Sequence, residues 1–180
     1  MSDERGAILL AIARESLAAA LGVGEESARH EPWLREPGAT FITLRRLGGL
    51  RGCVGTIQAH RPLLEDVRHN ARSAAFSDLR FPPVERFEYP EISVEVSLLS
   101  PCEACELGSE EEVLSRLRPG IDGIVFEFGE RRSTFLPQVW EQLPDPSDFL
   151  AHLKHKAGLA PSFWHADVRL WRYTVTKWAE

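Results

Sequence analysis

The sequence predicts an α+β fold built from antiparallel strands, and three observations lead to this prediction. Apolar and polar residues alternate in several short segments, which is typical of half-buried strands. Strand-like segments follow one another across short glycine turns, as in antiparallel hairpins. The order strand, strand, helical region and strand occurs twice along the chain. We therefore expect a barrel-like antiparallel sheet formed by two duplicated halves with flanking helices, rather than βαβ units.

Length and composition indicate a single domain over residues 1–180, or two small lobes that share a core. The chain is 43% hydrophobic and 27% charged, as expected for a soluble globular protein. Its formal charge of −6 argues against a nucleic-acid partner, which requires a basic surface. No segment is apolar enough to cross a membrane, and the acidic N-terminus is unlike a signal peptide, so we expect a cytoplasmic protein. Three cysteines fit a reducing compartment without a disulfide framework.

The first element expected is an N-terminal helix followed by a loop, over residues 1–38. Its helical stripe is formed by Ile8, Leu9, Ile12, Leu17 and Leu21. The first half follows over residues 39–105. It contains a hairpin turning at Gly48-Gly49, a helix that starts near Pro62, a break at the double proline 82–83 and the alternating strand "EISVEVSLLS".

A short acidic helix over residues 106–120 connects to the second half, residues 121–180. There, two strands are joined by a turn at Gly129-Glu130 and run into a helical segment. A further helix has Ser147 as its expected N-cap and Gly158 at its C-terminal end. The last element, "DVRLWRYTVTKW", is predicted to be one β-rich strand.

The segment "LRGCVGT" is the main candidate for a functional site. Strand alternation predicts that Arg51 and Cys53 share one face. Gly52 and Gly55 suggest close approach by another backbone or a ligand. A neighbouring guanidinium would favour a reactive thiolate at Cys53. The sequence leaves an alternative open, in which Cys53 is a small buried apolar residue and Arg51 extends to solvent.

Four further residues would complete such a site if the fold brings them to Cys53. His69, in preference to His60, would be the base. The double proline would hold Asp78 and Arg80 in a fixed charged loop, although an ordinary surface ion pair explains these residues equally well. Glu95 projects from the polar face of its strand, where it would either join the site or lie in solvent.

Two adjacent arginines, Arg131 and Arg132, would complete a cationic pocket if the two hairpins are neighbours. Neither "CEAC" at 102–105 nor "HLKH" at 152–155 provides a full set of metal ligands, so no metal site is expected. The nucleotide-binding, dinucleotide-binding, serine hydrolase and zinc protease motifs do not occur. We therefore expect no cofactor.

The order of several segments resembles the AMMECR domain family. These segments are "LRGCVGT", "RPLLEDVRHNARSAAFSDLRFPPV", "EISVEVSLLSP", "LRPGIDGIV", "RRSTFLPQVWEQLPDP" and "HKAGL". The resemblance extends from about Ala39 to the C-terminus and implies an antiparallel α+β fold with duplicated halves. Bacterial and archaeal members are often called AmmeMemoRadiSam system protein A, which implies Memo-like and radical-SAM proteins as partners. The family often has a cysteine where this chain has Lys154, which argues against a two-cysteine mechanism here.

Two functional hypotheses follow, and the sequence does not decide whether the protein is an enzyme. In the first, the protein is a cytosolic enzyme or a binding domain for a small anionic molecule, with a cleft between the halves. Cys53 would be the nucleophile or a ligand contact, and Arg51 and Arg80 would hold the anion, because guanidinium suits carboxylate and phosphate. In the second, the protein is a non-catalytic subunit for a Memo-like or radical-SAM partner.

Overall fold

The computed structural model describes residues 2–106 and 108–180. Its helices are α1 (Ser2–Ala20), α2 (Leu63–Phe76), α3 (Glu110–Arg116) and α4 (Pro146–Lys156). Its strands are β1 (Ala39–Arg46), β2 (Gly49–Gly55), β3 (Ile92–Leu99), β4 (Glu103–Ala104), β5 (Gly123–Phe128), β6 (Arg131–Phe135), β7 (Arg169–Tyr173) and β8 (Val175–Ala179). Short 3₁₀ helices occupy 32–35, 86–91 and 137–141.

The strands form two four-stranded sheets. Strand order is β2-β1-β3-β8 in the first sheet and β4-β7-β5-β6 in the second. In the first sheet, β1 lies between its hairpin partner β2 and β3, the strand that follows α2. In the second sheet, β5 lies between its hairpin partner β6 and β7, the strand that follows α4. Every strand pair with a described register is antiparallel. The predicted antiparallel α+β class and the repeated order of elements are therefore confirmed.

The described chain divides into two compact units. The first contains residues 1–99 and 176–180, and the second contains residues 100–175. Strand β8 thus belongs to the first unit although it follows β7 in the chain. Similarly, β4 follows β3 but pairs with β7 in the second sheet.

The core of the first unit lies between one face of the first sheet and helices α1 and α2. It includes Leu9, Ile12, Leu17, Ile42, Leu44, Val67, Ala71, Val94 and Val96, all fully or almost fully buried. The apolar residues of β1 and β3 alternate, as the pattern predicts, so that a single face meets the helices. The opposite face of this sheet is polar, and it carries the candidate site.

A buried polar network joins α2 to the hairpin. The Asp66 carboxylate is inaccessible to solvent and accepts hydrogen bonds from the backbone N–H and the hydroxyl of Thr40, both at 2.8 Å. It also accepts one from the Thr56 hydroxyl at 2.7 Å. Asn70, one turn along α2, donates to the Thr40 carbonyl at 3.0 Å. These bonds satisfy polar groups that would otherwise be costly to bury, and they fix α2 on the sheet.

The second unit packs α3 and α4 with the second sheet. The Trp140 and Phe149 rings stack with centroids 3.7 Å apart, and the Trp140 indole donates to the Asp122 carbonyl at 2.7 Å. Helix α4 is capped by the Asp145 carboxylate, which accepts from the N–H groups of Ser147 and Asp148. The prediction of Ser147 as N-cap is therefore wrong. Pro146 is the first residue of the helix, so the helix begins earlier in the chain than predicted and Asp145 is its N-cap.

Three predicted details differ from the structure. Among the described residues neither sheet closes on itself, so the barrel-like detail is not confirmed. The predicted C-terminal strand is divided at Thr174, whose backbone N–H and carbonyl are bonded to Ser100 instead of continuing one ladder. The β1–β2 turn is centred on Leu47 and Gly48, one residue earlier than predicted, and both have positive φ (50° and 84°).

None of the helices in residues 2–106 and 108–180 combines the length and the apolar character needed to span a membrane.

Candidate functional site

Three polar side chains form a row across the polar face of the first sheet. Cys53 on β2 pairs with Thr43 on β1, and Thr43 pairs with Glu95 on β3. Directly opposed residues project on the same side of a sheet, so these three side chains are neighbours. The Cys53 sulfur is half-buried and lies 3.3 Å from the Thr43 hydroxyl oxygen. We call this surface the Cys53 face, and we include in it the charged residues described next, Arg45, Lys177, Asp78 and Arg80.

Glu95 joins two cations on the Cys53 face. Its Oε1 accepts from Arg45 Nε at 2.6 Å, and its Oε2 lies 2.7 Å from Lys177 Nζ on β8. Burial acts to raise the pKa of Glu95, but the hydrogen bonds from Lys177 and Arg45 outweigh it, and the pKa is lowered. Glu95 is therefore an ionised carboxylate at neutral pH, and its role here is to hold Arg45 and Lys177 in place.

Asp78 and Arg80 bracket the backbone of Cys53 at the free edge of β2. The Asp78 carboxylate accepts from the Cys53 N–H at 2.8 Å, and Arg80 Nη2 donates to the Cys53 carbonyl at 3.4 Å. Arg80 also donates to Asp78 through Nε and Nη2, at 2.9 and 2.7 Å. These bonds, burial notwithstanding, hold the pKa of Asp78 well below its usual range. The pair thus satisfies an edge-strand residue that would otherwise be open to further strand pairing.

Arg51 is held by partners of its own rather than by Cys53. The β1–β2 register shifts between Leu44 and Arg45, which leaves Arg51 as the extra residue of a β-bulge. Its guanidinium donates to both carboxylate oxygens of Glu88 at 2.9 Å and to the carbonyls of the double proline 82–83. Because the bulge interrupts alternation, strand spacing does not assign Arg51 to the face of the sulfur.

The Glu88 carboxylate holds two arginines, Arg51 and Arg46, by hydrogen bonds. It is 4% exposed and also accepts from Arg46 Nη1 and from the backbone N–H of Glu85. The hydrogen bonds from Arg51, followed by the other contacts, lower its pKa to about 2. Glu88 was not a predicted site residue, although its place three residues after Glu85 is the spacing of a capping box.

The two glycines of the motif allow two different close approaches. A Cβ on Gly52 would lie 2.0 Å from the Ala74 carbonyl oxygen, so α2 packs directly on the strand backbone there. A Cβ on Gly55 would lie 2.2 Å from the Phe41 ring, which covers this glycine across the β1–β2 pair. Neither glycine is therefore interchangeable with alanine, and Gly52 serves helix packing on the side away from the Cys53 face.

The two predicted histidines are not grouped with Cys53. His69 is exposed on α2, with Nε2 3.4 Å from the Ser73 hydroxyl, and α2 covers the opposite face of the sheet. His60 is exposed and bonded to the Gln58 carbonyl. Arg131 and Arg132 belong to the second unit, where Arg131 Nη1 donates to the Gly158 carbonyl at 2.5 Å. The structure thus gathers Cys53, Asp78, Arg80 and Glu95, and it adds Thr43, Arg45 and Lys177.

The described residues contain no group of three or more His, Cys, Asp or Glu side chains arranged to hold a metal ion. The chemistry available on the Cys53 face is that of a half-buried thiol, a hydroxyl and three cations with two carboxylates. No histidine or carboxylate of the described chain is within hydrogen-bonding distance of the sulfur. The arrangement is therefore suited to holding a ligand, and it lacks the adjacent base that activates a nucleophile.

Comparison with known proteins gives the chain a family. The AMMECR1 family profile matches residues 10–178. A protein of Methanothermobacter thermautotrophicus is 37% identical over 185 residues, covering 96% of this chain and 93% of its own. A protein of Thermofilum pendens is 33% identical over 195 residues, covering 100% of this chain and 92% of its own.

A solved structure has the same fold. The crystal structure of the uncharacterized protein PH0010 from Pyrococcus horikoshii superposes with a TM-score of 0.85 at 35% sequence identity. The match covers 98% of this chain and 92% of that one. The family match over nearly the whole sequence agrees with the segments that first suggested it, so this chain belongs to the AMMECR1 family.

Proposed function

We propose that the protein binds a small anionic molecule on the Cys53 face, with Cys53 and Thr43 as uncharged contacts. The observation that carries this proposal is the row of Cys53, Thr43 and Glu95 across three adjacent strands, flanked by cations. Arg45 donates to Glu95 through Nε, and its two terminal nitrogens make no hydrogen bond to the described residues. Those nitrogens form the planar fork that matches a carboxylate or phosphate.

The local charge supports an anion. Arg45, Lys177 and Arg80 face two carboxylates, Glu95 and Asp78, which leaves an excess of one positive charge on the Cys53 face. The whole chain carries −6, so this local excess runs against the protein's overall charge. In the strand order, Cys53 on β2 and Thr43 on β1 lie between Arg80 at the free edge and Lys177 on β8. A ligand that reached from the edge towards β8 would contact the thiol and the hydroxyl.

Equilibrium binding of succinate and of inorganic phosphate tests the proposal. We expect Arg45→Gln to weaken the binding of at least one of them roughly tenfold, because a charge-assisted hydrogen bond contributes about 1.5–3 kcal/mol. Arg72→Gln is the matched control, since Arg72 is also an arginine of the first unit paired with a glutamate, Glu26. Equal affinity in wild type and Arg45→Gln would reject the Cys53 face as the site.

A second function, docking of a partner protein, is favoured by one specific feature. Leu47, Leu50 and Phe87 are 81%, 41% and 65% exposed. The Arg46 guanidinium lies 5.6 Å from the centroid of the Phe87 ring, and Arg46 is the last residue of β1, next to Leu47 in the chain. Exposed apolar clusters of this kind are typical of protein interaction sites. By family resemblance, the partner would be a Memo-like or a radical-SAM protein.

Co-purification with these partners tests the docking function. We expect Phe87→Ser to abolish an association that Phe76→Ser, at an exposed phenylalanine of α2, leaves intact. The absence of any association in the wild type would reject it. The three cysteines are free thiols, which supports a reducing, cytoplasmic location for either function.

A further inference from the structure

The second unit contains a cavity that the Cys53 face does not involve. Its volume is about 290 Å³, and its lining residues are Ala104, Cys105, Glu106, Val113, Arg116, Leu117 and Arg172. Val113 and Leu117, on and just after α3, are 2% and 7% exposed and supply an apolar floor. Strand β4 and the Cys105 segment form one wall, which is held to the sheet by the bond from the Cys105 N–H to the Leu170 carbonyl at 2.8 Å.

Two arginines line this cavity, and each donates one hydrogen bond to a described residue. Arg172 donates through Nε to Glu103 at 3.3 Å, and Arg116 donates through Nη1 to the Glu106 carbonyl at 3.1 Å. Within residues 2–106 and 108–180, their other N–H groups have no recorded protein partner. A pair of arginines and a set of apolar side chains that line one cavity are suited to an anionic group attached to a hydrocarbon.

The thiol in the wall adds an uncharged contact. Burial raises the pKa of Cys105, while the nearby Arg172 and Arg116 act to lower it. The net increase keeps Cys105 protonated at neutral pH, so it offers a soft apolar surface and does not compete with a ligand for the guanidiniums. Cys105, Arg116 and Arg172 line the same cavity, so a ligand there would meet the thiol together with both guanidinium-bearing residues.

We propose that this cavity binds a small carboxylic acid with a short apolar chain. The carboxylate contacts Arg116 and Arg172, and the chain lies on Val113 and Leu117. A cavity of about 290 Å³ is at the lower limit for ligand sites, so an acid with a handful of carbons is the appropriate size. This site is independent of the anion site proposed on the Cys53 face.

Hexanoate is the probe, compared with acetate and 1-hexanol, in titrations of the full chain followed by NMR. We expect shifts of the Cys105, Val113 and Leu117 signals that saturate with hexanoate. Acetate, which lacks the chain, and hexanol, which lacks the charge, should each bind at least about tenfold more weakly. Arg172→Gln and Arg116→Gln should each weaken hexanoate binding roughly tenfold.

Arg169→Gln is the matched control, because Arg169 lies on the same strand as Arg172 but does not line the cavity. Ala104→Phe, which fills the space, should abolish the Cys105 shifts in a folded protein. If a variant unfolds, a second measurement on the wild type serves instead. Bound hexanoate should protect the Cys105 thiol from an alkylating reagent, and peptide mass spectrometry measures this protection. Hexanoate shifts confined to Cys53 and Thr43, unchanged affinity in both arginine variants, or no protection of Cys105 would each overturn the proposal.

Discussion

The Asp78 carboxylate accepts a hydrogen bond from the backbone N–H of Cys53 at 2.8 Å, and the guanidinium of Arg80 reaches the carbonyl of the same residue. One ion pair thereby satisfies both backbone groups of Cys53 on the free edge of β2. The segment "SDLRFPP" after α2 contacts β2 a second time, because the carbonyls of its double proline accept hydrogen bonds from Arg51, two residues before the cysteine.

Asp78→Ala should open this strand edge locally. Without the carboxylate, the Cys53 N–H loses its partner, and leaving such a group unsatisfied costs about 1–3 kcal/mol. We expect hydrogen exchange at the Cys53 amide to accelerate more than exchange at the buried amides of β1. Ser77→Ala, at the adjacent exposed position, should leave the exchange rate of Cys53 unchanged. Equal exchange rates at the Cys53 amide in Asp78→Ala and in the wild type would contradict a stabilising hydrogen bond from this N–H to Asp78.

The lowered pKa of Glu88 predicts that the protein loses stability at acidic pH. The pKa of Glu88 is lowered in the folded state, from 4.5 to about 2, so the ionised form stabilises the protein at all pH values above 4.5. This contribution, on the order of 3 kcal/mol, is lost as pH falls from about 4.5 through about 2. Urea unfolding from pH 7 to pH 2 measures it.

Substitution of Glu88 supplies the comparison for this pH dependence. We expect Glu88→Gln to lower the unfolding free energy at pH 7 and to have a shallower decline below pH 4.5 than the wild type. Glu91→Gln removes the more exposed partner of Arg46 and should cost less than about 1 kcal/mol. Parallel pH profiles for wild type and Glu88→Gln would exclude Glu88 as the source of acid sensitivity.

Gly52→Ala should destabilise the protein by forcing α2 away from β2. The added Cβ would lie 2.0 Å from the Ala74 carbonyl oxygen, and overpacking of this kind costs about 1–3 kcal/mol or more. Gly49→Ala, in the same strand, meets nothing closer than the Arg46 carbonyl oxygen at 3.5 Å and should change stability by less than about 1 kcal/mol. Chemical denaturation compares the two variants with the wild type. Equal denaturation midpoints for the two variants would mean that α2 shifts to accommodate the added methyl group without loss of stability.

Leu47→Asn should make the protein more stable. Leu47 is 81% exposed and has φ of 50°, a left-handed conformation that disfavours leucine. Two consecutive positive φ values, at Leu47 and Gly48, follow the type I′ turn, in which Asn-Gly is preferred. We expect a gain of about 0.5–1 kcal/mol in unfolding free energy, together with weaker association with a protein partner. A loss of stability would show that the leucine side chain makes a contribution within the isolated protein.

The sequence was sufficient for the fold class, the two hairpins and the duplicated order of elements, because these depend on alternation and on glycine and proline positions. It could not place Glu95 and Lys177 on the same face as Cys53, because the pairing of β1 with β3 and of β8 with the first sheet depends on contacts distant in the chain. The break at Thr174 was missed for the same reason.

The position of Arg51 shows a second limit. Alternation places it on the face of Cys53, but a bulge adds one residue at this point, and the guanidinium is bonded to Glu88, 37 residues further along the chain. The glycine pattern predicts close approach by another backbone or a ligand, and at Gly52 the approaching group is the Ala74 carbonyl of α2. His69 was selected by residue type, and only the packing of α2 shows which side of the sheet it occupies.

The most direct test of an anion site on the Cys53 face is a map of backbone amide shifts during titration with succinate and phosphate at constant ionic strength. We predict saturable shifts centred on Thr43, Cys53 and Glu95 for at least one of the two, reduced in Lys177→Gln and retained in Arg72→Gln. Shifts absent from these three amides, or equal in both variants, would contradict the proposed function.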